Sequence, residues 1–142
     1  MATTTSTAKY EKLFNELKRV SHEALASAPQ PTPMIVGSPS TPLGSDVDPN
    51  QKTWFVEGGI CGFANVVIDS GRIGFAQWLL KSNFGNKAWQ WGGYKGVTLY
   101  SFARYGFANA GQSYERNVFI AQQMAKYLNA QGIKCHVDAR ID

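Results

Sequence analysis

The sequence predicts an α+β sandwich, one antiparallel sheet with helices packed on a single face. Three observations lead there. Gly58 to Ile68 is the most apolar run in the chain, β-branched toward its end and closed by Asp69-Ser70-Gly71, which reads as a buried central strand. Residues 133–141 alternate strictly: Ile133, Cys135, Val137, Ala139 and Ile141 are apolar, while Lys134, His136, Asp138 and Arg140 are polar, the pattern of a half-buried strand. Between these two lie a helical periodicity, a glycine-rich pair of strand-like runs, and a second helical periodicity. At 142 residues the chain has the length of one domain, enough for a core without disulfides or metal.

Taken in order, Met1–Thr7 is a Thr/Ser-rich start. Tyr10, Leu13, Phe14, Leu17, Val20, Ala24 and Leu25 then recur at three- and four-residue spacing, predicting an amphipathic helix from about Ala8 to Ala26. His22 falls at its polar edge and reads as a surface histidine. Residues 28–52 are rich in Pro and Ser and hold all six prolines, so they read as a linker or long surface loop, with Met34-Ile35-Val36 as a short edge strand. Thr53 to Glu57 is strand-like and leads through Gly58-Gly59 toward the central strand, which predicts a hairpin between the two. Gly71 to Ser82 reads as a helix with Ile73, Phe75, Ala76, Leu79 and Leu80 inward and Ser70 as N-cap. Ala88 to Trp91, a turn over Gly92 to Gly96, and Val97 to Ala103 read as a second hairpin. Ser113 opens a helix running to Gln131, with Tyr114, Val118, Ala121, Ala125 and Leu128 as its inner stripe, widened by Ile120 and Met124, and Gly132 as its stop.

The order is therefore β-α-β-β-α-β, the ferredoxin-like split arrangement, preceded by an added N-terminal helix and a long Pro/Ser-rich loop. The corresponding division is 1–27 for the helix, 28–52 for the loop and 53–142 for the α+β domain.

Charged residues are only 17% of the chain and aromatic residues 13%, and the net charge of +4 is unevenly spread. Residues 1–69 carry five basic and seven acidic residues, residues 70–142 nine and three. From Ser70 to Tyr114 there is no acid, while Arg72, Lys81, Lys87, Lys95 and Arg104 are present, so this segment favours anionic partners. Cys61 and Cys135 lack the spacing of a zinc site and read as free thiols suited to a reducing cytoplasm. No apolar run nears 18 residues and no secretory leader is apparent, so neither a membrane span nor export is expected. The residues imply no cofactor and no metal.

Alternation sorts side chains between the helix-facing and open faces of the sheet. With Ile60, Ala64, Val66 and Ile68 inward, Cys61, Phe63, Asn65 and Val67 face outward. With Val97 and Leu99 inward, Thr98, Tyr100 and Phe102 face outward, with Arg104 just beyond. The last strand turns Lys134, His136, Asp138 and Arg140 outward. The candidate ligand residues are accordingly Phe63, Asn65, Lys95, Tyr100, Phe102, Arg104, His136 and Arg140, rings on which unstacked bases sit beside groups that neutralise phosphate. Gly62-Phe63-Ala64-Asn65-Val66 and Arg104-Tyr105-Gly106-Phe107-Ala108 resemble the aromatic strand signature of the RNA-recognition motif, although the second lies at or past a strand end. The alternative is that the N-terminal helix, or a second copy of the chain, covers these rings.

Enzyme chemistry has thinner support. Cys61 as nucleophile with His136 as base lacks a third member, His136 and Asp138 read as a surface pair, and no two-carboxylate arrangement is present. Catalytic residues are therefore assigned to none.

Cys61-Gly62-Phe63-Ala64-x-Val66, Phe75-Ala76-x-Trp78-Leu79, Gly111-Gln112-Ser113-x-Glu115-Arg116, Ala121, Ala125, Leu128, Gly132-Ile133 and Arg140-Ile141-Asp142 together resemble a group of small uncharacterised bacteriophage and prophage proteins, over roughly residues 54–142. The resemblance implies a phage setting inside a bacterial cytoplasm and no particular chemistry. It marks Gln112, Ser113, Glu115, Arg116, Arg140 and Asp142 as shared positions. Ser113 as a cap, Glu115 at a helix N-terminus and Arg140 paired with Asp142 or Glu115 are structural accounts of them. Two expectations follow. One is a non-catalytic module binding single-stranded nucleic acid or a nucleotide-like ligand on its open face. The other is a protein-interaction or assembly module, acting on a host protein or forming a homo-oligomer, with the rings buried.

Overall fold

The computed structural model describes residues 2–37, 48, 50, 53–56, 59–90 and 93–141. Its elements are α1 (Ala2–Ser27), β1 (Met34–Gly37), β2 (Thr53–Val56), β3 (Gly62–Ile68), α2 (Gly74–Lys81), β4 (Gly85–Gln90), β5 (Gly93–Leu99), a 3-10 turn (Ala103–Tyr105), α3 (Tyr114–Ala130) and β6 (Cys135–Ile141). Glu57, Gly58, Trp91, Gly92 and Asp142, and much of the proline-rich stretch, lie outside the described residues.

Four strands form an antiparallel sheet in the order β4-β5-β3-β6, and the described residues are α+β with three α-helices. The arrangement is compatible with a ferredoxin-like sandwich. β3 is central because it is apolar on both faces of its C-terminal half: Val66, Val67 and Ile68 are all buried. It pairs with β6 along its whole length, from Gly62↔Ile141 to Ile68↔Cys135, but with β5 only at Val67↔Thr98 and Ile68↔Val97.

The core lies between the sheet and the helices. Val66, Ile68, Val97 and Leu99 meet Phe75, Ala76 and Leu79 of α2 and Ile120, Ala121, Met124, Ala125 and Leu128 of α3. Tyr114 and Val118, expected on the inner stripe, are only half-buried. α3 ends where Gly132 takes φ +84, a left-handed stop that closes Ile133 N–H onto the Leu128 carbonyl at 3.0 Å.

α1 packs on α3 and α2, not across the open face. Phe14, Leu17 and Ala24 are buried in the shared core, and Tyr10, Leu13, Val20 and Leu25 pack at its margin, as the spacing predicted. Gly74 lets it come close, since a β-carbon there would collide with the Tyr10 hydroxyl. Covering of the aromatic face by α1 is thus overturned: its stripe is spent on a cluster of rings in which Phe14 stacks on Phe84 at 4.6 Å and meets Phe107 edge-on at 5.1 Å.

Four further expectations are corrected. β2 pairs with β1, Met34↔Val56 through Gly37↔Thr53, as a separate two-stranded sheet, so no hairpin joins it to β3. β3 begins at Gly62, and Ile60 is 42% exposed. α2 begins at Gly74 with Ile73 at its N-cap, while Ser70 Oγ accepts the Arg72 N–H one turn earlier. Tyr94, Lys95 and Gly96 belong to β5, and a register shift between Ala88 and Trp89 absorbs the mismatch in the hairpin.

Candidate nucleic-acid interface

The uncovered face of the sheet carries a shallow concavity of about 620 Å³ lined by strand residues and by Tyr100 and Phe102, which lie beyond the end of β5. Six of the eight expected site residues meet there: Phe63, Asn65, Tyr100, Phe102, His136 and Arg140. Pairing sets them in rows. His136, Val67, Thr98 and Asn86 stand opposite one another across β6, β3, β5 and β4, three polar side chains in a row with one buried valine. Two residues along, Asn65 faces Asp138, and two more along, Phe63 faces Arg140. The far end is therefore aromatic and cationic. Opposed residues on neighbouring strands lie about 5 Å apart, so the Arg140 head is within reach of the Phe63 ring.

Beyond β5 the chain continues the aromatic end. Tyr100 and Phe102 stack at 5.0 Å with planes 15° apart, and Tyr105 follows at 5.8 Å. The Arg104 guanidinium lies 5.1 Å from the Phe102 ring centre and 5.0 Å from that of Tyr105. Phe63 and Phe102 remain 45% and 42% exposed. A base can extend the column from the Tyr100 ring or stack on the Arg104 plane, both of which are flat π surfaces.

Lys95 and Arg104 do not belong to the concavity itself. Lys95 lines a separate depression with Arg72 and Lys87, because the real hairpin register places it in the strand rather than in a turn. Arg104 reaches the column from the 3-10 turn. The second aromatic echo, 104–108, is on no strand, and its Phe107 is core at 3% exposure.

His136 pairs with Asp69, Nδ1 to Oδ1 at 2.6 Å, and not with Asp138. Cys61 and His136 are not neighbours. Val67 opposes His136, and six residues of strand put Cys61 about 20 Å away. Cys135 points to the helices, its thiol donating to the Ala125 carbonyl at 3.4 Å, and partial burial together with the Asp69 charge pushes its pKa up to about 11. Glu115 accepts the Thr32 N–H at 3.0 Å, and Gln112 and Ser113 pair with β3 and Cys61, so these positions have structural partners. Arg140 forms no ion pair with Glu115. Among the described residues no group of three His, Cys, Asp or Glu side chains is placed to hold a metal, and no helix is long and apolar enough to cross a membrane.

Missed by the sequence reading is an exposed pair toward the β4–β5 hairpin end: Trp89, which also lines the open-face concavity, and Tyr94, 71% and 65% exposed, meet edge to face at 5.2 Å. Bulky β-strand residues give no hint of this until the bulge is known. Compared with protein-family models, with curated proteins and with solved structures, the chain matches none.

Proposed function

We propose that the open sheet face binds single-stranded nucleic acid, or a nucleotide-like fragment of it, without catalysing a reaction. On this reading the domain is a ferredoxin-like sandwich, with unpaired bases stacking on Phe63 and on the Tyr100–Phe102 column while Arg104 and Arg140 take phosphates. The observation that carries it is the placement of α1: with the helix packed on α2 and α3, Phe63 and Phe102 stay exposed beside two guanidinium groups. The acid-free stretch from Ser70 to Tyr114 adds long-range attraction for a polyanion. The setting that goes with it is a bacterial cytoplasm during phage infection, although the binding reading does not depend on it.

Labelled single- and double-stranded DNA and RNA, titrated by fluorescence anisotropy at about 50 and 200 mM salt, test the reading. Micromolar single-strand binding that weakens steeply with salt, and weaker duplex binding, is the expected result. No single-strand binding at the lower salt overturns it.

The exposed Trp89–Tyr94 pair favours a second reading, a contact with a host protein or a second copy of the chain. Light scattering across a concentration series tests the self-association arm: a dimer that Trp89→Ser dissociates supports it, and a monomer at every concentration removes it.

A further inference from the structure

The β3 edge that faces β5 is paired at both ends and open in the middle. At one end Val67 and Ile68 pair with Thr98 and Val97. At the other, Gly62 N–H donates to the Gln112 carbonyl at 2.8 Å, Tyr114 N–H donates to the Ile60 carbonyl at 2.9 Å, and Cys61 bridges Ser113. In between, β5 and β3 no longer pair, while Tyr100 N–H continues the ladder on the β4 side by donating to the Phe84 carbonyl. The departing chain is pinned away, Ala108 N–H to Ser21 Oγ at 3.0 Å and the Gly111 carbonyl to Asn117 Nδ2 at 3.0 Å. The result is a slot of about 340 Å³ floored by Ile120 and Met124, with Phe63 and Phe102 at its rim.

We infer that this slot receives one base of the strand bound on the open face, and that the base is read there by hydrogen bonding. The inference rests on the open-face reading and gives it a sequence preference. Four features point to a flat heterocycle. The volume is at the small end for ligand sites. The edge is closed at both ends, about 17 Å apart, so an extended peptide cannot run through as an added strand. The lining is uncharged and polar, with Asn65, Ser101 and Asn109 over an apolar floor. Gly62 directs its N–H away from β6, so by two-residue alternation Ala64 directs its N–H and C=O to the same side, into the gap.

The lining also selects among bases. Asn109 Oδ1 is taken by the Gly111 N–H at 2.6 Å, leaving its amide donor, while the Asn65 carboxamide makes no side-chain hydrogen bond among the described residues. A free carboxamide matches adenine, accepting from N6 and donating to N7, and no Arg or Lys lines the slot to favour guanine.

The test compares labelled strands of about ten nucleotides, all thymine or with a single central adenine, guanine or cytosine. One adenine is expected to tighten binding about tenfold over the all-thymine strand, and Asn65→Ala to bring the two strands to equal affinity. Equal affinity for all four strands, with salt-dependent binding retained, overturns the slot and leaves the open-face reading standing. An adenine preference that survives Asn65→Ala and Ser101→Ala also overturns it. No binding to any strand overturns both. Circular dichroism and thermal melting of each variant establish that lost discrimination is not lost folding.

Discussion

Two aromatic clusters, six rings and three, stand on opposite sides of this sheet and have opposite fates. On the helix side Tyr10, Phe14, Phe75, Trp78, Phe84 and Phe107 pack ring against ring beneath α1. On the open side Phe63, Tyr100 and Phe102 gather with Arg104 and Arg140, Phe63 and Phe102 exposed and Tyr100 half-buried. Ring chemistry is the same in both. The difference is what surrounds the rings: the first cluster is closed by an amphipathic helix that supplies its own phenylalanine, the second is flanked by guanidinium groups that no described carboxylate pairs with. An aromatic group is structural where an apolar partner covers it and available for a ligand where only cations do.

The largest expected effect strikes the buried cluster. Phe14→Ala removes a ring that is 3% exposed and touches Trp78, Phe84 and Phe107, so a loss of about 3–5 kcal/mol is expected in chemical denaturation. A loss below about 1 kcal/mol breaks the comparison, because it would mean that α1 adds little to the core.

Ser21→Ala comes next. Ser21 is fully buried within α1, accepting from Ala108 N–H at 3.0 Å and donating to the Lys18 carbonyl at 2.6 Å. The substitution leaves the Ala108 N–H without its partner, a cost of about 1–3 kcal/mol. It also frees the loop that walls the slot, so faster amide exchange at Ala108 is the more specific readout.

Phe102→Ala sharpens the contrast from the other side. The ring is 42% exposed, so stability is expected to fall by less than about 1 kcal/mol, while single-strand affinity falls by about 1–3 kcal/mol with one stacking plane gone. A stability loss as large as that of Phe14→Ala would reassign the ring to the core.

How far the chain could be read without coordinates follows the same division. β6 was plain because strict alternation over 133–141 has only one period, and the stripes of α1 and α3 because threefold and fourfold spacing has few other meanings. Most of the open-face residues followed from those periods, so Phe63, Asn65, Tyr100, Phe102, His136 and Arg140 do come together. What failed was everything decided by a distant partner. The stripe of α1 says that it is buried but not against what. Thr53 to Val56 looked like the arm of a local hairpin, whereas its partner Met34–Gly37 lies across the proline-rich loop. Gly92 to Gly96 looked like a turn because glycines cluster there, and the bulge at Ala88/Trp89 moved Lys95 into the strand. The slot is the extreme case: it exists because β3 and β5 stop pairing after two residues, and a missing ladder leaves no periodicity in either strand.

The smallest effect tests whether the helix-facing side of β6 is dry next to the open face. Cys135 and His136 are consecutive and point opposite ways, the thiol toward Ala125 on α3 and the imidazole toward Asp69. Burial comes first among the causes that raise the Cys135 pKa from 9.0 to about 11, followed by the Asp69 charge. The folded state therefore holds the neutral thiol more firmly than the unfolded chain does. That contribution to stability is complete below pH 9 and is lost as pH rises from 9 toward about 11. In a Cys61→Ser background, alkylation of Cys135 near pH 8 is expected to be several-fold slower in the native protein than in denaturant, with the melting temperature declining above pH 9. Labelling as fast as in the unfolded chain would mean that water reaches both faces of β6, and the sheet would then have no dry side at this edge to set against the wet one.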